Sequence, residues 1–361
     1  MQVSGSFRSF FLYDIAEEID LKKLRELLGS PPEQRGPAFP HLAPDYVRFE
    51  RPPVVESLPA QTLNTGESLC CQVSYHDYGV VSVELRLAFS FAWEKLVSQS
   101  AAWIANADME QRAARIVSSV ETRAQAALRK PHQMLSEDYY VLQLHPIPVK
   151  TGGTLGAHDL IAQFGPDIAS MVRGEPVALS AEEQAEVLHS RMSYYPGDLL
   201  VVSWSAALVY DTPEGAGPTV QLLEYANSQL LGFRQYDRVL SDLLDHVYDL
   251  LSGETGFFSR WRMAREAERL SALRLDVQEL TERVDNSIKF LSDTYSARTY
   301  RLAAARIGVP DYRKLVEEKL TTIGELYQLM MDRFHHGRAF VLELMVVVIL
   351  VIELGFVFRG K

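Results

Sequence analysis

Few side chains in this sequence have the type and spacing that reactions demand. Glu137, Asp138 and His145 border the apolar segment Tyr139 to Leu144, and two carboxyls with an imidazole could exchange protons in a pocket. Carboxylates beside a strand are more commonly solvated, so proximity in sequence does not by itself make an acid–base pair. Cys70 and Cys71 are the two cysteines; a bridge between neighbours is strained, and adjacent thiols lack the spacing of a zinc site. His335 and His336 are also adjacent and diverge on a helix, which suits a polar anchor better than a metal pair. Thr151-Gly152-Gly153-Thr154 has neither the glycine spacing nor the following Lys of a phosphate loop and reads as a turn. No Ser, Cys and His pattern marks a nucleophile, so no catalytic residue, metal or cofactor is expected. The densest local chemistry is electrostatic. Phe257, Phe258, Arg260, Trp261, Arg262, Arg265 and Arg269 set cations beside aromatics, a mix suited to anionic lipid headgroups and less well to nucleic acid.

The elements that must hold these residues follow from composition and periodicity. At 361 residues the chain has room for two or more units. Thirty-six Lys and Arg against 47 Asp and Glu leave a net charge of -11, so no global positive field draws it to phosphate backbones. With 47% hydrophobic residues and a mean hydropathy of -0.06, wholesale disorder and a many-pass membrane protein are excluded. Phe7 to Tyr13 reads as a strand, and Asp20 caps a helix through Leu28. Tyr46 to Glu50 reads as a strand, and Ser68 to His76 pairs with Val80 to Leu87 across the turn Asp77-Tyr78-Gly79. Helical spacing runs from Trp93 to Ile104 and from Asp108 to Lys130, where Pro131 stops it. Tyr139 to Leu144 is a strand, Ser180 and Glu183 form a capping box, and Leu199 to Tyr210 is one long apolar strand. Residues 1–211 therefore form an α+β domain, 212–218 a linker, and 219–334 long antiparallel coiled-coil-like helical hairpins. Leu240, Leu243 and Val247 mark one seam; Val316, Leu320 and Ile323 mark another.

Residues 335–361 read as a tail anchor. From Ala339 to Phe358 only Glu343 and Glu353 are charged, with Arg338 before the segment and Arg359 and Lys361 after it. Twenty residues at about 1.5 Å each match a hydrocarbon core of about 30 Å, so one carboxy-terminal transmembrane helix is expected. The two acids lie near its ends, where they can reach an interface or meet partner spans in a homo-oligomer. With no amino-terminal signal, the main body is expected on the cytoplasmic side.

The ordered set Tyr194-Tyr195-Pro196-Gly197-Asp198-Leu199 with Trp204, Leu222-Leu223-Glu224-Tyr225-Ala226-Asn227, Glu279-Leu280-Thr281-Glu282-Arg283-Val284-Asp285-Asn286 and the terminal span resembles the required-for-meiotic-nuclear-division family. That family is a domain of unknown function with bacterial, fungal and mitochondrial members. The resemblance implies a mixed α/β domain, long helices and a membrane anchor, supplies no active site, and points to the inner membrane and, in mitochondrial members, to support of organellar translation. The expected function is a non-enzymatic, membrane-anchored, oligomeric scaffold or tether that presents a cytoplasmic domain to a protein partner. Its partners would be the lipid bilayer, further copies of itself and that protein, and its location the bacterial inner membrane or, alternatively, the mitochondrial inner membrane. The alternatives are an enzyme or ligand sensor with a pocket in the α+β domain, and a membrane tether for ribosome or RNA.

Overall fold

The computed structural model describes residues 1–29, 52–63, 66–149, 152–252 and 294–326, with scattered positions at 272, 275, 277, 278 and 328. Strand β1 (Gln2–Ile19) extends well past the apolar centre that the sequence marks. Phe10, Phe11 and Leu12 are all buried there, so both faces of the strand are covered. Asp20 then accepts from the backbone N–H of Lys22 and Lys23 and opens α1 (Leu21–Leu28) as its N-cap.

Around β1 an eight-stranded sheet assembles in the order β2-β3-β4-β1-β5-β8-β7-β6. Its strands are β2 (Val54–Thr62), β3 (Ser68–Tyr75), β4 (Val80–Ala92), β5 (Leu128–Leu144), β6 (Arg191–Met192), β7 (Leu199–Val202) and β8 (Ala206–Tyr210). Neighbours are antiparallel except β5 and β8. The β3–β4 hairpin turns where the sequence places it. Gly79 has φ 89°, and a Cβ there would stand 1.6 Å from the Ala16 carbonyl oxygen, so only glycine fits.

Two expectations about strands are corrected. Helix α3 (Ala107–Ala124) ends earlier than predicted, and β5 begins at Leu128, so Pro131 lies in a strand. The first half of β5 is polar and largely exposed, and lacks alternating hydrophobicity; its pairing with β1 holds it. Pro131 sits opposite Ala16, beside a register shift, where a missing N–H is tolerated. The apolar run from Leu199 to Tyr210 is a hairpin rather than one strand, because Ser203 bonds back to Ala206 (2.8 Å) and closes a turn between β7 and β8. Strand β2 and helix α4 (Ala157–Arg173) are additions to the elements expected from the sequence.

One sheet face carries Val3, Phe7, Phe11, Leu85 and Phe89 into the main apolar core, which α2 (Leu96–Ile104), α3 and α4 cover. Phe7 lies 4.6 Å from Phe89 and 5.6 Å from Trp103, ring centre to ring centre. Side chains alternate along a strand, so Ser6, Arg8, Phe10 and Leu12 face the other way. Helix α6 (Pro213–Ser252) lies over that second face with Ala216, Val220, Leu223 and Ala226 buried. Residues 212–218, the sequence's linker, thus open this helix. Gly217 has no Cβ to clash with the ring of Pro218, so the helix passes through the proline. Helix α5 (Ala181–His189) starts at the Ser180 cap, and α7 (Thr294–Ile307) joins the sheet unit through Tyr300, 5.9 Å from Tyr225, and Arg306, 2.6 Å from Glu186.

The chain divides into two compact units, Met1–Gln235 with Glu279–Arg313, and Tyr236–Gln278 with Lys314–Lys361. In the second, Leu240, Leu243 and Val247 of α6 are buried, as are Val316, Leu320 and Ile323 of the helix over residues 309–326, α8. Lys319 Nζ stands 2.5 Å from Asp237 and donates to Ser241 (2.7 Å) beside that seam.

The α+β architecture with an amino-terminal sheet holds, but its transmembrane component is withdrawn. Among the described residues no helix is long and apolar enough to cross a membrane. Even the forty-residue α6 carries Glu224, Arg234, Asp237, Arg238, Asp242 and Asp245, charges a bilayer would not admit together. The expected span at 339–358, with Arg338, Glu343, Glu353, Arg359 and Lys361, lies outside the described residues, as do Tyr46–Glu50 and Phe257, Phe258, Arg260, Trp261, Arg262, Arg265 and Arg269.

Candidate functional site

The second face of the sheet is polar where β1, β3 and β4 meet. Gln72 and Ser74 on β3, Ser82, Glu84 and Arg86 on β4, and Arg8 on β1 all occupy alternate positions of this face. The amino-terminal half of α6 crosses above, and its residues Gly217, Val220, Gln221, Glu224 and Tyr225 form one stripe at helical spacing. Between the two lies a cleft of about 220 Å³, lined also by Pro53, Val55, His76 and Pro213. This is smaller than the roughly 300–1,000 Å³ of pockets for drug-sized ligands, so only a smaller molecule would fit.

Its electrostatics are uneven. Arg8 and Glu84 form an ion pair at 2.9 Å with only 12% of each side chain exposed. The same guanidinium donates from Nε (3.1 Å) and Nη2 (2.8 Å) to Gln143 Oε1, so each of its three nitrogens has a partner. Glu224 has the Ser82 and Ser74 hydroxyls within hydrogen-bonding reach, yet one of its oxygens, like one His76 nitrogen, is left over. Glu224 Oε1 and His76 Nε2 are enclosed and have no hydrogen-bond partner. Burial pushes the Glu224 carboxyl up to about 7, helped by the Glu84 charge and opposed by the nearby Ser82 and Ser74 hydroxyls and Arg8. Burial pushes the His76 imidazole down to about 4, so it is neutral at physiological pH. The His76 ring stacks on Tyr78 (5.3 Å) and lies 6.5 Å from Tyr225, and the Tyr78 hydroxyl is 2.5 Å from Ser228 on α6. These contacts lock the imidazole in place.

A groove of about 540 Å³ between β2 and α3 is larger but already satisfied. There Arg123 pairs with Glu56 (2.6 Å), and Arg112 with Asp108 (2.6 Å) and Gln61 (3.0 Å). Among the described residues no cluster of His, Cys, Asp and Glu could hold a metal ion.

Comparison with known proteins places the sheet unit. The family described as "Uncharacterized protein MJ0711, N-terminal domain" matches residues 4–216, more than half of the chain. The chain belongs to this family. Among curated proteins, uncharacterized protein MJ0711 of the archaeon Methanocaldococcus jannaschii is 21% identical over 187 residues, which is 52% of this chain and 57% of that protein. The chain therefore spans little more than half the length of this relative. No solved structure matches. Membership of the MJ0711 N-terminal domain family overturns the resemblance to the required-for-meiotic-nuclear-division family, and the inner-membrane role it implied is withdrawn with it. A bacterial inner-membrane location is likewise corrected: the curated relative is archaeal, and no described helix could span a membrane. The MJ0711-domain match includes Arg8, His76, Glu84 and Arg86 and stops at residue 216, just before Gln221 and Glu224 on α6.

The residues the sequence offered for proton transfer do not converge. Glu137 and Asp138 are consecutive in β5 and so point to opposite faces; Glu137 pairs with Arg234 and Asp138 lies beside the Tyr140 hydroxyl. His145 sits past the end of β5, where its Nδ1 is 3.4 Å from Ser4. Cys70 is exposed and Cys71 buried, both as free thiols. Gly152 and Gly153 both have positive φ, as a turn requires. His335 and His336 lie outside the described residues. In the Tyr194–Asp198 loop, the Asp198 carboxylate accepts from the backbone N–H of Tyr194 (2.7 Å) and Tyr195 (3.0 Å), which leaves both rings 55% exposed. Sequence reasoning missed Arg8, His76, Glu84 and Glu224. The available signal was period two: Ser82, Glu84 and Arg86 alternate with Val81, Val83 and Leu85, marking a strand face too polar to be an ordinary core.

Proposed function

We propose that the first unit is a small-molecule binding module and that the cleft beneath α6 is its binding site. The observation that carries this reading is a set of three enclosed, unpartnered polar atoms, Gln221 Oε1, Glu224 Oε1 and His76 Nε2, on residues lining one small cleft. An unmet buried polar group costs about 1–3 kcal/mol, and a ligand towards which these side chains turn recovers part of that cost. The scaffold role expected from the sequence drew on a membrane anchor; the ligand-sensor alternative draws on geometry that is present. A carboxyl near neutrality and a neutral imidazole, with the Ser74 hydroxyl in the same lining, would also suit proton transfer; the binding reading needs only the unmet polar atoms.

The test is occlusion of the cleft in the full-length chain. Gln221 lines it from α6, and Gln221→Trp puts an indole into the space with only a small loss of helix propensity. In a thermal-shift screen of polar metabolites, compounds that stabilise the wild type are expected to lose their effect on Gln221→Trp, whose own melting temperature stays within a few degrees. Stabilisers that act equally on both proteins would place binding elsewhere and end this reading.

A further inference from the structure

We infer that the ligand of this cleft is a short organic zwitterion, with an ammonium group at the Glu224 end and a carboxylate at the Arg86 end. The inference rests on the cleft being a binding site, and it follows from counting charge. Four charged side chains line the cleft: Arg8, Glu84, Arg86 and Glu224. Arg8 and Glu84 cancel one another at 2.9 Å. What remains is one carboxyl with an enclosed, unpartnered oxygen and one exposed guanidinium that has no ion pair among the described residues. Opposite charges are therefore left over within one cleft.

They also lie apart. Glu224 is beside Ser82 and Ser74. Arg86 stands on the same face of β4 four residues beyond Ser82, a step of about 13 Å along a strand. Both side chains can reach inward, so the space between their charged ends suits a short carbon chain. Val55, Val220 and Pro53 supply apolar wall for such a chain. At the Glu224 end Tyr225 also lines the cleft, and His76 Nε2, when the ring carries its proton on Nδ1, can accept an N–H. An anion alone would meet Arg86 but face the two carboxyls; a cation alone would leave Arg86 unused.

Calorimetric titration of the full-length protein at pH 8 tests this, with 6-aminohexanoate as the zwitterionic probe and hexylamine and hexanoate as its one-charge analogues. The zwitterion is expected to bind one per chain, and each analogue about tenfold or more weakly. Glu224→Gln should reduce 6-aminohexanoate to the affinity of hexanoate, and Arg86→Gln to that of hexylamine. Because Arg86 is exposed, its variant keeps the fold even if the Glu224 variant does not. Equal binding of either analogue, no binding of the zwitterion, or indifference to Arg86→Gln overturns the inference. If Gln221→Trp still blocks some other compound in that event, the cleft stands as a binding site and only its ligand class is wrong; if that variant blocks nothing, the binding site falls as well.

Discussion

At Glu224 one carboxyl links the cleft to the stability of the fold. Burial holds its folded value at about 7, above the ordinary carboxylate range. Below that range both folded and unfolded chains are protonated and the contribution is complete. As pH rises towards 7 the unfolded chain ionises first, so stability is lost, and above 7 the loss is full. His76 acts in the opposite direction: held at about 4, its contribution is present above the ordinary imidazole range and disappears as pH falls towards 4. Glu224→Gln isolates the first effect. In urea unfolding the variant should be more stable than wild type by roughly 1–3 kcal/mol at pH 8 and nearly equal to it at pH 4.5. A constant difference across that range would mean that the carboxyl is ordinary. Nothing in Leu222-Leu223-Glu224-Tyr225 announces this, since a glutamate on a helix reads as solvent-facing. Only the sheet laid against it takes its oxygen out of water.

At the scale of elements, local chemistry and long-range pairing divide the legible from the hidden. The Asp20 and Ser180 caps and the Asp77-Tyr78-Gly79 turn use bonds within a few residues, and each appears where the sequence puts it. The amino-terminal half of β5 depends on partners more than a hundred residues away, through Arg129 with Glu18 (3.1 Å) and Lys130 with Glu17 (2.5 Å), and no local pattern encodes it. The β3–β4 turn nevertheless has a tertiary cost as well. Gly79→Ala would combine a positive φ with a Cβ driven into the Ala16 carbonyl. We expect a loss of at least about 2 kcal/mol, read as a lower thermal midpoint by circular dichroism. An unchanged midpoint would show that β1 can shift to make room.

For the whole molecule, the division into two units predicts how damage spreads. Leu243 is buried in the seam of the second unit. Leu243→Ala should destabilise that unit by about 2–5 kcal/mol. Hydrogen exchange would then accelerate over residues 236–249 and 314–326 while the amides of β1 and β5 keep their protection. Equal acceleration in β1 would show that the two units unfold as one.

The sequence by itself determined the class of the molecule: an α+β chain with strands first and long amphipathic helices after, because hydrophobic period, caps and turn residues act over a few positions. Its adjacent cysteines and its Gly152-Gly153 pair match neither the spacing of a zinc site nor that of a phosphate loop. Tertiary structure decided the site. Arg8, His76, Glu84, Arg86 and Glu224 come from two strands, a turn and a helix, and become a cleft only when α6 covers a polar sheet face. The reason is physical: a shifted carboxyl is a property of surroundings, and surroundings are assembled by contacts that no local spacing records.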